Sequence, residues 1–295
     1  MPLLTLFSAV LFTVFLWWFT TGLIIAIYGR TRLLTQIGYV AATLAMLLSF
    51  VVILGTRDMT EPIAVIASVT CGVLIWGWLI MAYYLGYITG PGPRLGSDAV
   101  QPALLTGGML PRFRAALQFS LYHEVLAIGC AVLIALLTWG QPNQWALWIY
   151  LALWLMHSSA KLNVFFGVRN FRVTVLPDWM HHLDGLLGKR SSTPFFPLSV
   201  GIAVAVLALL VYHALITPEP GTSIGALIVA TMIGLGILEH VLLVLPVNTM
   251  LWGWGIRAIP PKTQHEDPQS ANWSNMQLTK LDSNKQVVPE RVVKR

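Results

Sequence analysis

Apolar residues gather into seven stretches of span length, at about 3–28, 36–55, 62–87, 115–139, 145–166, 195–216 and 223–246. A helix needs roughly 20 mostly apolar residues to cross the hydrocarbon core of a bilayer. The pattern therefore predicts an all-α bundle of seven transmembrane helices over residues 1–256. The connectors are of two kinds. Those at 56–61, 140–144 and 217–222 are short, whereas 29–35, 88–114 and 167–194 carry nearly all the loop charge. From residue 257 the chain turns to Pro, Gln, Asn, Ser and Lys with little to bury, so 257–295 reads as a polar, disordered cytoplasmic tail.

Composition agrees with this pattern. Hydrophobic residues make up 56% of the 295 residues and charged ones 10%, against about 25% charged in a soluble domain. The formal charge of +6 sits mostly in loops and tail, which points to topology and anionic lipid and away from nucleic acid. Sixteen of the 18 lysines and arginines fall on the side that receives the connectors after spans one, three and five and the tail. Basic loops stay cytoplasmic, so the N-terminus is expected outside and the C-terminus inside. The first apolar run has no basic leader and no small-residue cleavage site, and reads as a span. Cys71 and Cys130 lie in apolar runs and suggest neither a disulfide framework nor a metal pair.

The third basic connector holds Leu176, Trp179, Met180, Leu183, Leu186 and Leu187 at three-four spacing, with Asp178 near the start and Lys189 and Arg190 at the end. This predicts a short amphipathic helix on the cytoplasmic membrane surface, either packed on the spans or docking a partner. Asp178, His181 and His182 could grip a cation or simply face water.

The chemistry inside the spans is sparser and more telling. An intramembrane polar cluster is expected from His123, Glu124, His157, Lys161, Asn163, Glu239 and His240, with His213 set apart near the outer end of its span. At 1.5 Å per residue, Glu124 lies roughly 13 Å from the inner end of its span, and Lys161 and Glu239 roughly 24 Å from the outer ends of theirs. Three unpaired charges there would cost on the order of 8–10 kcal/mol. The cheaper solution is a cluster in which Lys161 pairs with Glu124 or Glu239 and the histidines bond the remaining oxygens; snorkelling of Lys161 to the inner surface and a protonated glutamate are the alternatives. Neighbours in sequence point about 100° apart on a helix, so one residue of each His-Glu or Glu-His pair faces the bundle centre. The cluster suits a structural lock or a partner-recognition core. A metal site, a histidine on a chlorophyll magnesium and a proton relay stay open. No Gly-rich phosphate loop, nucleophile elbow or zinc motif is present, and no catalytic residue is assigned.

Several blocks together resemble a known family. They are Phe15-Leu16-Trp17-Trp18-Phe19 with Thr20-Thr21-Gly22, His123-Glu124, Ser159-Ala160-Lys161-Leu162-Asn163-Val164-Phe165 and Gly167-Val168-Arg169-Asn170. Leu176-Pro177-Asp178, Phe195-Phe196-Pro197-Leu198-Ser199, the run from Leu238-Glu239-His240 to Leu245-Pro246, and Leu251-Trp252 extend the set. Over roughly residues 5–255 the chain resembles the PuhE-type photosynthetic complex assembly proteins, encoded among the photosynthesis genes of purple bacteria and their aerobic relatives. The resemblance implies an accessory role in building the reaction centre and light-harvesting complexes, through bacteriochlorophyll supply or through contacts with those complexes or with pigment-synthesis enzymes. It implies residence in the photosynthetic, intracytoplasmic part of the bacterial inner membrane. It transfers no catalytic residue, and no cofactor is expected on its account. The rival readings are a membrane enzyme of pigment metabolism using the His/Glu cluster, and a carrier for pigment or another small molecule.

Overall fold

The computed structural model describes residues 3–27, 30–89, 108–168 and 193–244, all within a compact unit spanning Met1–Ile256. The expected interfacial helix at 176–187 and the tail at 257–295 lie outside the described residues. Seven α-helices and no strands occur among the described residues: α1 Leu3–Ile27, α2 Arg32–Thr56, α3 Pro62–Tyr84, α4 Met109–Thr138, α5 Trp145–Phe166, α6 Phe195–Ile216 and α7 Pro220–Val244. In hydrocarbon a helix satisfies its own backbone, which is why each long apolar run takes this form.

Six of the seven are long and apolar enough to cross a membrane; α5 is not, by the same standard. Its 22 residues rise about 33 Å, enough for the crossing. What lowers its hydropathy is the polar half from His157 to Asn163. Those side chains are sheltered, because α5 packs against α3, α4, α6 and α7. Two helices begin earlier than the apolar pattern suggests, α2 at Arg32 and α4 at Met109. Arg32, Arg112 and Arg114 thus sit on helical overhangs, where helix geometry continues past the apolar stretch.

α3 and α7 form the centre. α3 touches α1, α2, α4, α5 and α7, and α7 touches α1, α3, α5 and α6. α3 is apolar on all sides, which suits a helix surrounded by others. Two clusters make up the core. One joins α1, α3, α5, α6 and α7 through Leu16, Val69, Ile149, Ala203 and Ile228; the other joins α2, α3, α4 and α5 through Ile53, Ile75, Ile134 and Tyr150. Helices in lipid gain little from hydrophobic association and pack closely where residues are small. A Cβ on Gly72 would stand 2.6 Å from the Ala146 carbonyl oxygen, and a Cβ on Gly225 would enter the Trp145 indole. These two glycines let α3 and α7 close on α5.

Three short turns meet at one end of the bundle. Arg57, after α2, donates to the Leu137 carbonyl of α4, and the Asn143 side chain returns a bond to the Thr56 carbonyl at 3.0 Å. Glu219 accepts from Thr222 at 2.6 Å and from Thr60, which hold its carboxyl below the usual carboxylate range. The opposite end carries the polar chemistry.

Candidate functional site

α5 organises the polar residues because it has two faces. Tyr150, Trp154, His157 and Lys161 recur at three-four spacing on one side, and Ala152, Met156, Ser159 and Asn163 on the other. The first face meets α3 and α4, the second α6 and α7.

On the first face Lys161 Nζ forms an ion pair with Glu124 Oε1 of α4. The Trp154 indole donates to the other carboxylate oxygen, Glu124 Oε2, at 2.9 Å. Both oxygens of Glu124 are therefore occupied by α5. The pair is partly covered, with side-chain exposures of 31% for Lys161 and 21% for Glu124, so it lies on the bundle flank.

One turn along this face is an aromatic box. α4 buries a stripe running Ala115, Phe119, His123, Ala127, Cys130 and Ile134, which turns His123 inward and leaves Glu124 at the flank. His123 is fully enclosed, with ring centroids 4.9 Å from Tyr83, 5.9 Å from Trp76 and 5.8 Å from His157. Trp76 also lies 5.4 Å from His157 and 5.7 Å from Tyr150. Neither ring nitrogen of His123 has a partner in the chain, and His157 Nε2 has none. A buried polar atom left unpaired costs about 1–3 kcal/mol. Three such atoms in one box make it the place in this bundle best suited to an enclosed water or a small polar guest. Among the described residues, no three His, Cys, Asp or Glu side chains converge as a metal-ligand set.

On the second face His240 of α7 is 1% exposed. Its Nδ1 is bonded to the Gly236 carbonyl at 2.8 Å and therefore carries the proton, leaving Nε2 to accept from Ser159 Oγ at 3.0 Å. Asn163 Nδ2 donates to the Ser159 carbonyl at 3.0 Å and to Ser199 Oγ of α6 at 3.1 Å. This chain of bonds ties α5, α6 and α7 together.

The seven polar residues singled out from the sequence thus fall into three groups and one outlier. Glu124 pairs with Lys161, His123 faces His157, and Asn163 and His240 share Ser159. Glu239 joins none of them. It is exposed on α7 and takes the Trp17 indole of α1 as a hydrogen-bond donor. The 100° step between neighbours explains the split, since His240 turns inward and Glu239 outward. Sequence reasoning missed Trp154, Ser159, Ser199, Trp76 and Tyr83 as parts of the site. Trp154 was within reach, seven residues before Lys161 on the same α5 face; Ser199 and Tyr83 carry no such signal, because they arrive from other helices.

With six membrane-length apolar helices, no strand among the described residues and polar groups locked between the helices, the chain is a multi-pass membrane protein. More narrowly, it belongs to the family described as Protein of unknown function (DUF3623), which matches residues 3–263. A relative in Rhodobacter capsulatus, described as an uncharacterized 30.4 kDa protein in the puhA 5′ region, is 27% identical over 261 residues, covering 87% of this chain and 90% of its own. The puhA setting of that relative accords with the resemblance to the PuhE-type proteins. No solved structure matches the chain.

Proposed function

We propose that the protein is an accessory factor of the bacterial photosynthetic inner membrane, acting in assembly of the reaction centre and light-harvesting complexes through helix–helix contacts. The observation that carries this reading is the relative in the puhA 5′ region, a photosynthesis gene setting, aligned over nearly the whole of both chains. The polar residues support a scaffold more readily than a reaction centre for catalysis. Most of them are spent on bonds between helices, and what they hold is an apolar bundle whose outer faces meet lipid or a partner. In this reading all seven helices span, with the N-terminus outside and the C-terminus and basic connectors cytoplasmic. The test is deletion of the gene, followed by near-infrared spectra of whole cells grown under several light and oxygen regimes. Altered amounts of the pigment-protein complexes are the expected result, and unchanged spectra in every regime overturn the reading.

A second reading draws on one feature, the unpartnered nitrogens of His123 and His157. A carrier or membrane enzyme of pigment metabolism would place a guest there. Purification in mild detergent, with an absorbance spectrum and metal analysis, separates the two: a stoichiometric pigment or metal lost in His123→Phe favours the second.

A further inference from the structure

His123 and His157 stand opposite each other in the aromatic box, one on α4 and one on α5, with ring centroids 5.8 Å apart. Both nitrogens of His123 and Nε2 of His157 are buried without a partner, and His123 is 0% exposed. Buried polar atoms of this kind call for a partner. A direct N–H···N bond of about 2.9 Å between two imidazoles holds their ring centres about 5.2 Å apart at most. One ion about 2.0 Å from a nitrogen of each ring allows up to roughly 6.3 Å. The pair is therefore too widely spaced to satisfy itself and close enough to share a single ligated atom. Trp76, 5.9 Å from one ring and 5.4 Å from the other, adds an indole, the aromatic group that attracts a cation best.

The chemistry around the two rings narrows the guest. Glu124, next to His123 in the chain, is turned to the flank with both oxygens taken. The Tyr150 hydroxyl is spent on the Ala127 carbonyl at 3.0 Å. Among the described residues no third His, Cys, Asp or Glu joins the two imidazoles as a ligand set. Zinc takes four ligands, and magnesium and calcium take six or more, mostly oxygens, so two nitrogens meet neither demand. A buried water makes two to four hydrogen bonds, and two rings reach only the lower end. Copper(I) accepts imidazole, is filled by two ligands, and brings a single charge into hydrocarbon, the least costly for a metal ion. The neighbouring Lys161–Glu124 pair is neutral as a unit and does not repel it. We propose that His123 and His157 hold one copper(I) ion between α4 and α5. This rests on the guest reading of the box and names the guest; it stands apart from the accessory reading.

The experiment titrates the full-length protein, purified in mild detergent and stripped of metal, with copper(I) under anaerobic reducing conditions against a chromophoric copper(I) chelator. One equivalent is expected to bind and to raise the thermal midpoint. X-ray absorption should show copper held by two imidazole nitrogens. Losing even an outer-shell partner of a metal ligand costs about 10–100-fold, so His123→Leu and His157→Leu should each weaken binding roughly a hundredfold or more. Both replace an unpartnered polar group by an apolar one and are expected to keep membrane abundance. If either accumulates poorly, His157→Met decides, because a thioether retains copper(I): copper kept with a sulfur ligand in the spectrum supports the site, and copper lost overturns it. His213, exposed on α6, is the comparison residue, and His213→Leu leaves binding unchanged. Binding that survives both leucine variants, or stoichiometric zinc in place of copper, overturns the proposal. So does a titration with no binding, which leaves an enclosed water only. If copper fails while a pigment lost in His123→Phe co-purifies, the copper assignment alone falls; if neither binds, the guest reading falls with it.

Discussion

Lys161 is held by one carboxylate and not by a diffuse field. Its ion pair with Glu124 is completed by Trp154, so the acid is gripped on both oxygens by a single helix. Removing one partner of a buried pair strands the other, at roughly 3–5 kcal/mol. The partial exposure of this pair argues for the lower figure. Lys161→Met is expected to reduce membrane abundance, and adding Glu124→Gln to recover part of the loss, whereas adding Glu239→Gln recovers none. Quantifying the protein in membranes across these variants checks the pairing. Equal, additive losses in both double variants would remove it. Depth alone leaves both glutamates open as partners, and an uncharged tryptophan such as Trp154 does not stand out among apolar neighbours as a buried charge does.

At the scale of the helix, α5 departs most from a simple apolar span. Its polar residues are divided between opposite faces, each covered by other helices, and this lets a chain of membrane type tolerate His, Ser, Lys and Asn within one segment. The three-four pattern is visible in the residues themselves, but which neighbours cover each face is not. Close approach of α7 to α5 depends on Gly225, whose Cβ position is filled by the Trp145 indole, whereas Gly129 on α4 has nothing within 4 Å. Gly225→Leu is therefore expected to lower folded protein and its thermal midpoint in detergent, by an overpacking cost of about 1–3 kcal/mol or more, while Gly129→Leu leaves both near the wild-type value. Similar losses for the two would mean that α5 and α7 are not in contact as described. The helix starts at Arg32 and Met109 also differ from the apolar limits, because a helix does not stop where hydrophobicity does.

For the molecule as a whole, the short turns after α2, α4 and α6 meet at one end through Arg57, Asn143, Thr60 and Glu219, and the polar groups gather toward the other. A reporter active only in the cytoplasm should stay silent when fused within 141–144 or 217–219, and should work after Arg295 or within 167–194. Activity at 141–144 would overturn the seven-span arrangement. The sequence by itself determined that the chain is helical, where its helices fall, and which of them carry polar groups at depth. Hydrocarbon leaves the helix as the way to satisfy an unpaired backbone, and a buried charge stands out against apolar neighbours. Only the tertiary structure decided that Lys161 meets Glu124, that His123 and His157 share an aromatic box, and that Glu239 turns out of the bundle. Those outcomes depend on which way each helix is rotated and on which helix stands beside it; residues of similar depth differ in both, and spacing along one chain does not encode either.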